Sequence, residues 1–398
     1  MCSKWDTDSV VQRFREYLQI PSVHPDVDYD ECITFLTKQA QELGLPIRVY
    51  ELVPKKPVAV ITWAGTEPAL PAILLNSHMD VVPVYEEYWT YPPFEARISD
   101  EGFIYARGTQ DMKGIGMMHL ESVRRLKFNG VRLRRTVHMS FVPDEEIGSV
   151  DGMKTFSESE EFKDLNIGFG LDESIPSAQI NRILVFNGEK ITRSIKITST
   201  GEPGHGSSLP SNTAGEKLHK VIGNLIQLRS EQKSKFDSGV PLGDVISINL
   251  TKLEGGVQTN VLPERLSASF DIRLPPHINF DQFDNMIDTW CKEAGEGIEW
   301  EVEVNNPQIK STSIDGSVVF WTVLVKAMDE MNIDVDCMIC PGATDARFLR
   351  KQGIPSINFS PMLNTPVLLH GHDERIHVDA YKKGIDIMEK VVKAVANV

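Results

Sequence analysis

AILLNSHMDVVP, residues 72–83, is the stretch from which the rest of the chain can be read. Residues 72–76 form a short apolar run, the pattern of a strand buried on both faces. Strands of that kind belong to sheets covered by helices on both sides. The run then breaks into Ser77-His78-Met79-Asp80, so polar groups leave the strand at its carboxyl end. In an open α/β sheet, chemistry gathers along that edge.

Working outward, the first half alternates helix and strand signals. Apolar spacing predicts helices over 9–20 and 30–43, and strands over 47–53 and 58–64. A helix over 112–128 stops at Asn129-Gly130, a C-cap signal, and strands follow over 136–142 and 167–171. This alternation implies a mainly parallel mixed sheet between helices. After residue 188 the order becomes strand 191–198, helix 213–228, strands 245–253 and 266–273, helix 280–294 and strand 298–304. That is the β-α-β-β-α-β order of a ferredoxin-like α+β unit. Helix 318–331, strand 335–339, helix 345–351, strand 356–359 and helix 379–395 complete the chain. We read one discontinuous catalytic domain, 1–187 and 308–398, interrupted by a lid, 188–307. Two domains suit 398 residues, more than one core usually serves.

The charge balance narrows the partners. A formal net charge of −15 repels nucleic acid. The cluster Arg132, Arg134 and Arg135 alternates around Leu133 and reads as a solvated loop leading into a strand. No apolar run approaches the roughly 20 residues that span a bilayer. The start, MCSKWDTDSVVQRFREYLQI, lacks the basic and apolar regions of a secretory signal, so the expected location is cytoplasmic. The five cysteines, Cys2, Cys32, Cys291, Cys337 and Cys340, are scattered and give no disulfide framework. Cys337 and Cys340 form a CxxC in a strand-like stretch with no second pair, which reads as buried thiols rather than a zinc ribbon or a redox centre.

The candidate chemistry lies where the strands end. The strand 72–76 runs into His78 and Asp80. The strand 136–142 runs into Pro143-Asp144-Glu145-Glu146, and the strand ending at Leu171 runs into Asp172-Glu173. Asp111 stands at a loop-to-helix junction in RGTQDMKG (107–114), and His370 in LLHGHDE (368–374). Singly, each has an ordinary structural reading: Asp111 as a helix N-cap, the Glu pair as solvated, and His119 and His138 as hydrogen-bonded polar residues. Their recurrence along one sheet edge is what points to metal. Zinc accepts imidazole nitrogen and carboxylate oxygen. A two-zinc site also needs a shared carboxylate, and an unligated one to move the proton of the attacking water. His78 and His370 suit one cation each, and Glu145-Glu146 suits one ligand and one base. Asp80 is spaced to accept the second ring N–H of His78.

SHMDVVP (77–83), YARGTQDMKGIG (105–116), VPDEEIGS (142–149), GLDES (170–174), TGEPGHGS (200–207) and GGVQTNVLPE (255–264) resemble the motifs of the M20 metallopeptidase family. PGATDARFLR (341–350) and FSPMLNTPVLLHGHDER (359–375) are similar to the branch that cleaves N-acyl-amino acids. The resemblance spans essentially the whole chain. It implies a zinc-exopeptidase-like catalytic domain and Zn2+, two per subunit, with a small-molecule N-acyl-amino acid as substrate. His78, Asp111 and Glu173 would hold one ion and Asp111, Glu146 and His370 the other, with Glu145 as general base and acid. Asp80 would back His78, and the peptide after Asp111 would be cis. The family pattern selects Glu173 over Asp172. The form H-x-x-D-E selects His370 over His372. From the lid, the resemblance carries over His205, reaching a partner subunit's site to stabilise the oxyanion, so a homodimer through the lid is expected. Asn260, Arg273 and Arg347 are carried over as contacts for the substrate carboxylate. Alternatives are a dipeptidase or carboxypeptidase using the same metals, or a catalytically inactive amino-acid-binding homologue.

Overall fold

The structure is a computed structural model that describes residue 5 and residues 7–398; Cys2 lies outside the described residues. Local signals bound its first elements. Helix α1 (Ser9–Leu18) starts at Asp8, whose carboxylate accepts from the N–H of Val10 at 3.0 Å and of Val11 at 3.3 Å. Helix α2 (Asp30–Leu43) ends at Gly44 with φ 62°, the left-handed stop that glycine adopts at little cost. Next come β1 (Ile47–Val53), β2 (Lys56–Trp63), β3 (Ala72–His78), α3 (Lys113–Phe128), β4 (Val137–Val142), β5 (Ile167–Asp172) and β6 (Arg182–Glu189). The chain continues through β7 (Ile191–Thr200), α4 (Ala214–Asp237), β8 (Ser247–Gly255), β9 (Arg265–Leu274), α5 (Phe280–Ala294) and β10 (Ile298–Asn305). It closes with α6 (Val319–Asp329), β11 (Asp334–Cys340), β12 (Ser356–Phe359) and α7 (Val378–Val395).

One unit comprises the chain up to Asn187, Thr312–Cys337 and Thr344–Val398. Its eight-stranded mixed sheet has the order β1-β2-β4-β3-β5-β12-β6-β11. The central β4, β3, β5 and β12 pair in parallel, whereas β1–β2, β2–β4 and β12–β6 are antiparallel. Parallel strands in the middle explain the continuous apolar runs: every residue of β3 and β4 is buried. Helix α3 lies on β3, and Gly116 makes that approach close. A Cβ at Gly116 would sit 2.5 Å from Ser77 Oγ, one residue before His78. A small three-stranded sheet, Arg97–Ile98, Phe103–Tyr105 and Arg375–His377, joins the loops before α3 and α7. That small sheet does not show in the apolar pattern, since two- and three-residue strands carry no period, and the eight-residue β6 is absent from the sequence reading as well.

The second unit comprises Gly188–Ser311 and Met338–Ala343. Its four-stranded antiparallel sheet runs β8-β9-β7-β10, with α4 and α5 packed on it. In β7 the alternation is regular: Ile195 and Ile197 are buried with Val221, Leu225, Phe270 and Ile287. Against the boundaries read from sequence, the second junction falls at 311/312 rather than 307/308. Residues 338–343 also group here. The Lys190 N–H donates to the Cys340 carbonyl at 2.9 Å, and Gly243 lies so close to Ile339 that a Cβ would meet its carbonyl at 1.9 Å.

Candidate metal centre

Three neighbouring parallel strands deliver candidate imidazole and carboxylate ligands to one edge. In the register, His78 at the end of β3 is level with Val142 at the end of β4, and Leu75 pairs with Leu171 of β5. The residues just beyond, Glu145-Glu146 and Glu173, therefore leave the sheet beside His78. Asp111 comes from the loop ahead of α3, and the Asp111-Met112 peptide is cis. His370 comes from the loop ahead of Arg375–His377 in the left-handed conformation, with φ 59°.

These side chains meet around Asp111, which faces two ways. Its Oδ1 lies 3.1 Å from His78 Nε2, and its Oδ2 lies 3.1 Å from His370 Nε2. Glu173 Oε2 is 3.6 Å from His78 Nε2, and Glu146 Oε2 is 3.1 Å from His370 Nε2. Donor atoms about 2.0–2.2 Å from one tetrahedral cation stand roughly 3.3 Å apart, so each half of this arrangement has the spacing of a ligand set. Glu145 also offers an oxygen, within 4.8 Å of a ring nitrogen of His78 and a carboxylate oxygen of Glu173.

The electrostatics ask for positive charge. Burial pushes the Glu145 carboxyl well above the usual range, and the nearby Glu173 carboxylate adds to it. Burial, then Asp111, does the same to Glu173. Asp111 goes the other way: burial raises it, but hydrogen bonds from His370 and His78 outweigh that and hold it ionised. So many carboxylates sharing one dry site cannot all keep their charge unless cations stand among them. Hard oxygen and imidazole donors at this spacing fit divalent cations of the zinc kind.

A second layer fixes the ligands, and most of it escaped the sequence reading. Glu374 is wholly buried; its carboxylate accepts from Arg107 Nη1 at 2.7 Å, from the Gln110 N–H at 2.6 Å and from the Asp111 N–H at 3.3 Å. It therefore cradles the loop that carries Asp111. Asp80 works differently from expectation. His78 Nδ1 donates to the Asp80 backbone carbonyl at 2.9 Å, while the Asp80 carboxylate stands 3.6 Å away. That carboxylate instead accepts from the N–H groups of Glu145 at 3.2 Å and Glu146 at 3.0 Å, and from His24 Nε2 at 2.9 Å. The adjacent pair at the end of β5 divides by side. Asp172 turns inward to Asn76 Nδ2 at 3.0 Å and the Ala346 N–H at 2.7 Å, leaving Glu173 facing His78. Buried Asp345, pushed up to about 7 by burial and by Asp172, receives Ser149 Oγ at 2.5 Å behind the cluster.

The remaining candidates lie outside this cluster. Arg347 donates to the Gly148 carbonyl at 3.1 Å, and its guanidinium lies over the Phe348 ring. His372 packs among the exposed rings of Tyr85 and Tyr88. His138 bonds Thr62 Oγ1 at 2.9 Å, and burial pulls His119 down to about 3. In the second unit, His205 is exposed on a two-residue strand that pairs it with Val261, and the Gly206 N–H donates to the Asn260 carbonyl at 2.7 Å. His205 and Asn260 are thus neighbours. Arg273 sits on β9, paired with Asp271 at 3.2 Å. Cys337 and Cys340 lie on a strand, and burial raises the Cys337 thiol to about 11, away from redox reactivity.

Residues 74–394 match the family described as Peptidase family M20/M25/M40. The chain belongs to that family. It is 46% identical over 390 residues to Aminoacylase-1 of Mus musculus, covering 98% of this chain and 95% of that protein. It is 45% identical over 392 residues to Aminoacylase-1 of Homo sapiens, with the same coverage. Aminoacylase-1 of Dictyostelium discoideum is 40% identical over 398 residues, covering 96% and 97%. Among solved structures, the M20 family metallo-carboxypeptidase Sso-CP2 of Sulfolobus solfataricus superposes with a TM-score of 0.71 at 20% identity, covering 98% of this chain and 100% of that one. The M20 protein is accordingly an enzyme of the metal-dependent hydrolase kind, on the α/β fold of the M20 carboxypeptidases. Among its described residues, no helix is long and apolar enough to cross a membrane.

Proposed function

We propose that this M20 enzyme hydrolyses the amide bond of N-acyl-L-amino acids, using two zinc ions per chain, to give a carboxylic acid and a free L-amino acid. The observation that carries it is the two-sided Asp111 carboxylate between His78 and His370, with Glu145 beside His78 and Glu173. The substrate class is supported by 40–46% identity to Aminoacylase-1 over nearly the whole chain.

In this reading His78, Asp111 and Glu173 hold one ion, and Asp111, Glu146 and His370 the other. Bound there, the cations acidify a water and polarise the amide carbonyl. Glu145 takes the water proton as the oxygen attacks the carbonyl carbon. Burial suits it to hold that proton and then pass it to the nitrogen as the C–N bond breaks. Asp80 keeps Glu145 and Glu146 in place through their N–H groups. His205 of a partner subunit donates to the oxyanion, and Asn260, Arg273 and Arg347 receive the substrate carboxylate. The protein is taken as a cytoplasmic homodimer joined through the second unit.

The test compares N-acetyl-L-methionine with free dipeptides, alongside metal analysis of the purified protein. Faster cleavage of the N-acyl substrate, with close to two zinc ions per chain, is expected. Preference for dipeptides would make it a peptidase instead.

A further inference from the structure

Asp144 has no part in the reaction just described, yet it is among the most firmly held carboxylates in the catalytic unit. It precedes Glu145 directly and is 2% exposed. Its backbone is left-handed, with φ 61° and ψ 27°. A residue other than glycine persists there only when its surroundings hold it, even though aspartate tolerates the region better than most. The side chain points away from the metal ligands. Its Oδ1 accepts from the Tyr29 hydroxyl at 2.7 Å, and its Oδ2 pairs with Lys56 Nζ at 2.6 Å. The same hydroxyl accepts from the Asp144 N–H at 3.0 Å.

The turn that follows is pinned elsewhere too. Its far end closes with the Ser149 N–H on the Asp144 carbonyl at 2.8 Å, and Ser149 Oγ donates to Asp345. Its middle is held by Asp80. The near end has Tyr29, at the start of α2, and Lys56, at the start of β2, with His24 Nε2 4.0 Å from the Asp144 Oδ1. The Lys56 side chain is 22% exposed, and it borders a cavity of about 680 Å³ together with Tyr29, Asp28 and Glu51. Shortening Lys56 therefore opens onto space already present and leaves the packed core alone.

We propose that Asp144 is a positioning residue for the reaction, its carboxylate locked by Tyr29 and Lys56 so that the left-handed turn aims Glu145 at the substrate. This rests on Glu145 being the base. Removing the Lys56 ammonium leaves a buried carboxylate with the Tyr29 hydroxyl as its close side-chain donor and the His24 ring only at 4.0 Å. The turn then relaxes, and the base loses its aim while the cations and the substrate pocket stay.

The experiment is steady-state hydrolysis of N-acetyl-L-methionine by the full-length, metal-loaded enzyme, with bound zinc and Tm measured for each variant. Lys56→Ala and Asp144→Asn are expected to lower kcat by about 10- to 100-fold, the effect of displacing a reacting group by about 1 Å, with KM and zinc content unchanged. Lys56→Arg keeps the charge and recovers most of kcat. A merely structural lysine would lower Tm without this split between kcat and KM. The proposal is overturned if Lys56→Ala keeps wild-type kcat while Glu145→Gln is inactive, or if the loss of kcat follows loss of zinc. If Glu145→Gln itself stays active, the assignment of the base falls, and this inference with it.

Discussion

The metal centre and the candidate residues of the second unit are built on opposite principles. At the candidate centre, side chains from five separated segments converge, and several are tied by a further hydrogen bond: His78 to the Asp80 carbonyl, the Asp111 loop to Glu374, the Glu145-Glu146 turn to Asp80. In the second unit, the exposed side chains of His205 and Asn260 bond close neighbours, His205 to Ser207 Oγ at 2.7 Å and Asn260 to Gln258 Nε2 at 2.7 Å. A site that must place charge to within a fraction of an ångström is assembled before substrate arrives. If His205 and Asn260 complete the site only after binding, as proposed, they can stand in water until then.

That contrast orders the expected effects. Glu145→Gln should cost most, about 10²–10⁴ in kcat, with both cations still bound, because glutamine keeps the shape of the side chain and loses only the proton-accepting charge. Activity and zinc content measured on one preparation decide it; a variant that loses zinc in proportion to activity would make Glu145 a ligand instead. His205→Ala comes next, at about 10²–10³ in kcat, the cost of one oxyanion donor. If each site borrows its histidine from the partner, co-expressing His205→Ala with Glu145→Gln chains restores about a quarter of wild-type activity, since half the dimers then hold one complete site. If the mixture stays inactive, the histidine does not act between subunits.

What could be read in advance follows from the same contrast. His78, Glu145, Glu146, Asp172 and Glu173 stand out because each follows a buried apolar run, and in a parallel sheet the ends of such runs face one edge. Glu374 and His24 do not stand out. Glu374 lies 263 residues from the N–H of Asp111 that it accepts, and His24 lies 56 residues from Asp80; no local pattern encodes such pairings. For Asp80, spacing gives proximity without direction: two residues after His78, its carbonyl meets the ring at 2.9 Å, while its carboxylate stands 3.6 Å from the ring and also reaches the next turn. Residues 338–343 group with the second unit, where the Cys340 carbonyl accepts from the Lys190 N–H, although β11 is continuous in sequence with the first.

The Asp111 cradle gives a middle-sized effect. Glu374→Gln keeps the size of the side chain but removes the charge that gathers Arg107 and the N–H groups of residues 108, 110 and 111. Metal affinity should drop about 10- to 100-fold, as for other groups that orient ligands from behind. Competition with a chelator measures it. Unchanged affinity would mean that the β3 edge and His370 alone hold Asp111 in place.

The smallest effect separates the two arginines proposed for the substrate carboxylate. Arg273 presents its guanidinium from a strand, with a single pairing to Asp271 that is partly exposed. Arg347 is already spent on the Gly148 carbonyl and on the face of Phe348. A bidentate fork on a carboxylate is lost when arginine becomes lysine, while the charge stays. Arg273→Lys should therefore raise KM by about tenfold, the equivalent of one charge-assisted hydrogen bond, and leave kcat nearly untouched. Arg347→Lys should move KM less, and should instead disturb kcat slightly through the loop at Gly148, which closes the turn carrying Glu145. Equal KM effects from both would mean that substrate draws Arg347 off Gly148 and that its guanidinium binds the carboxylate as fully as that of Arg273.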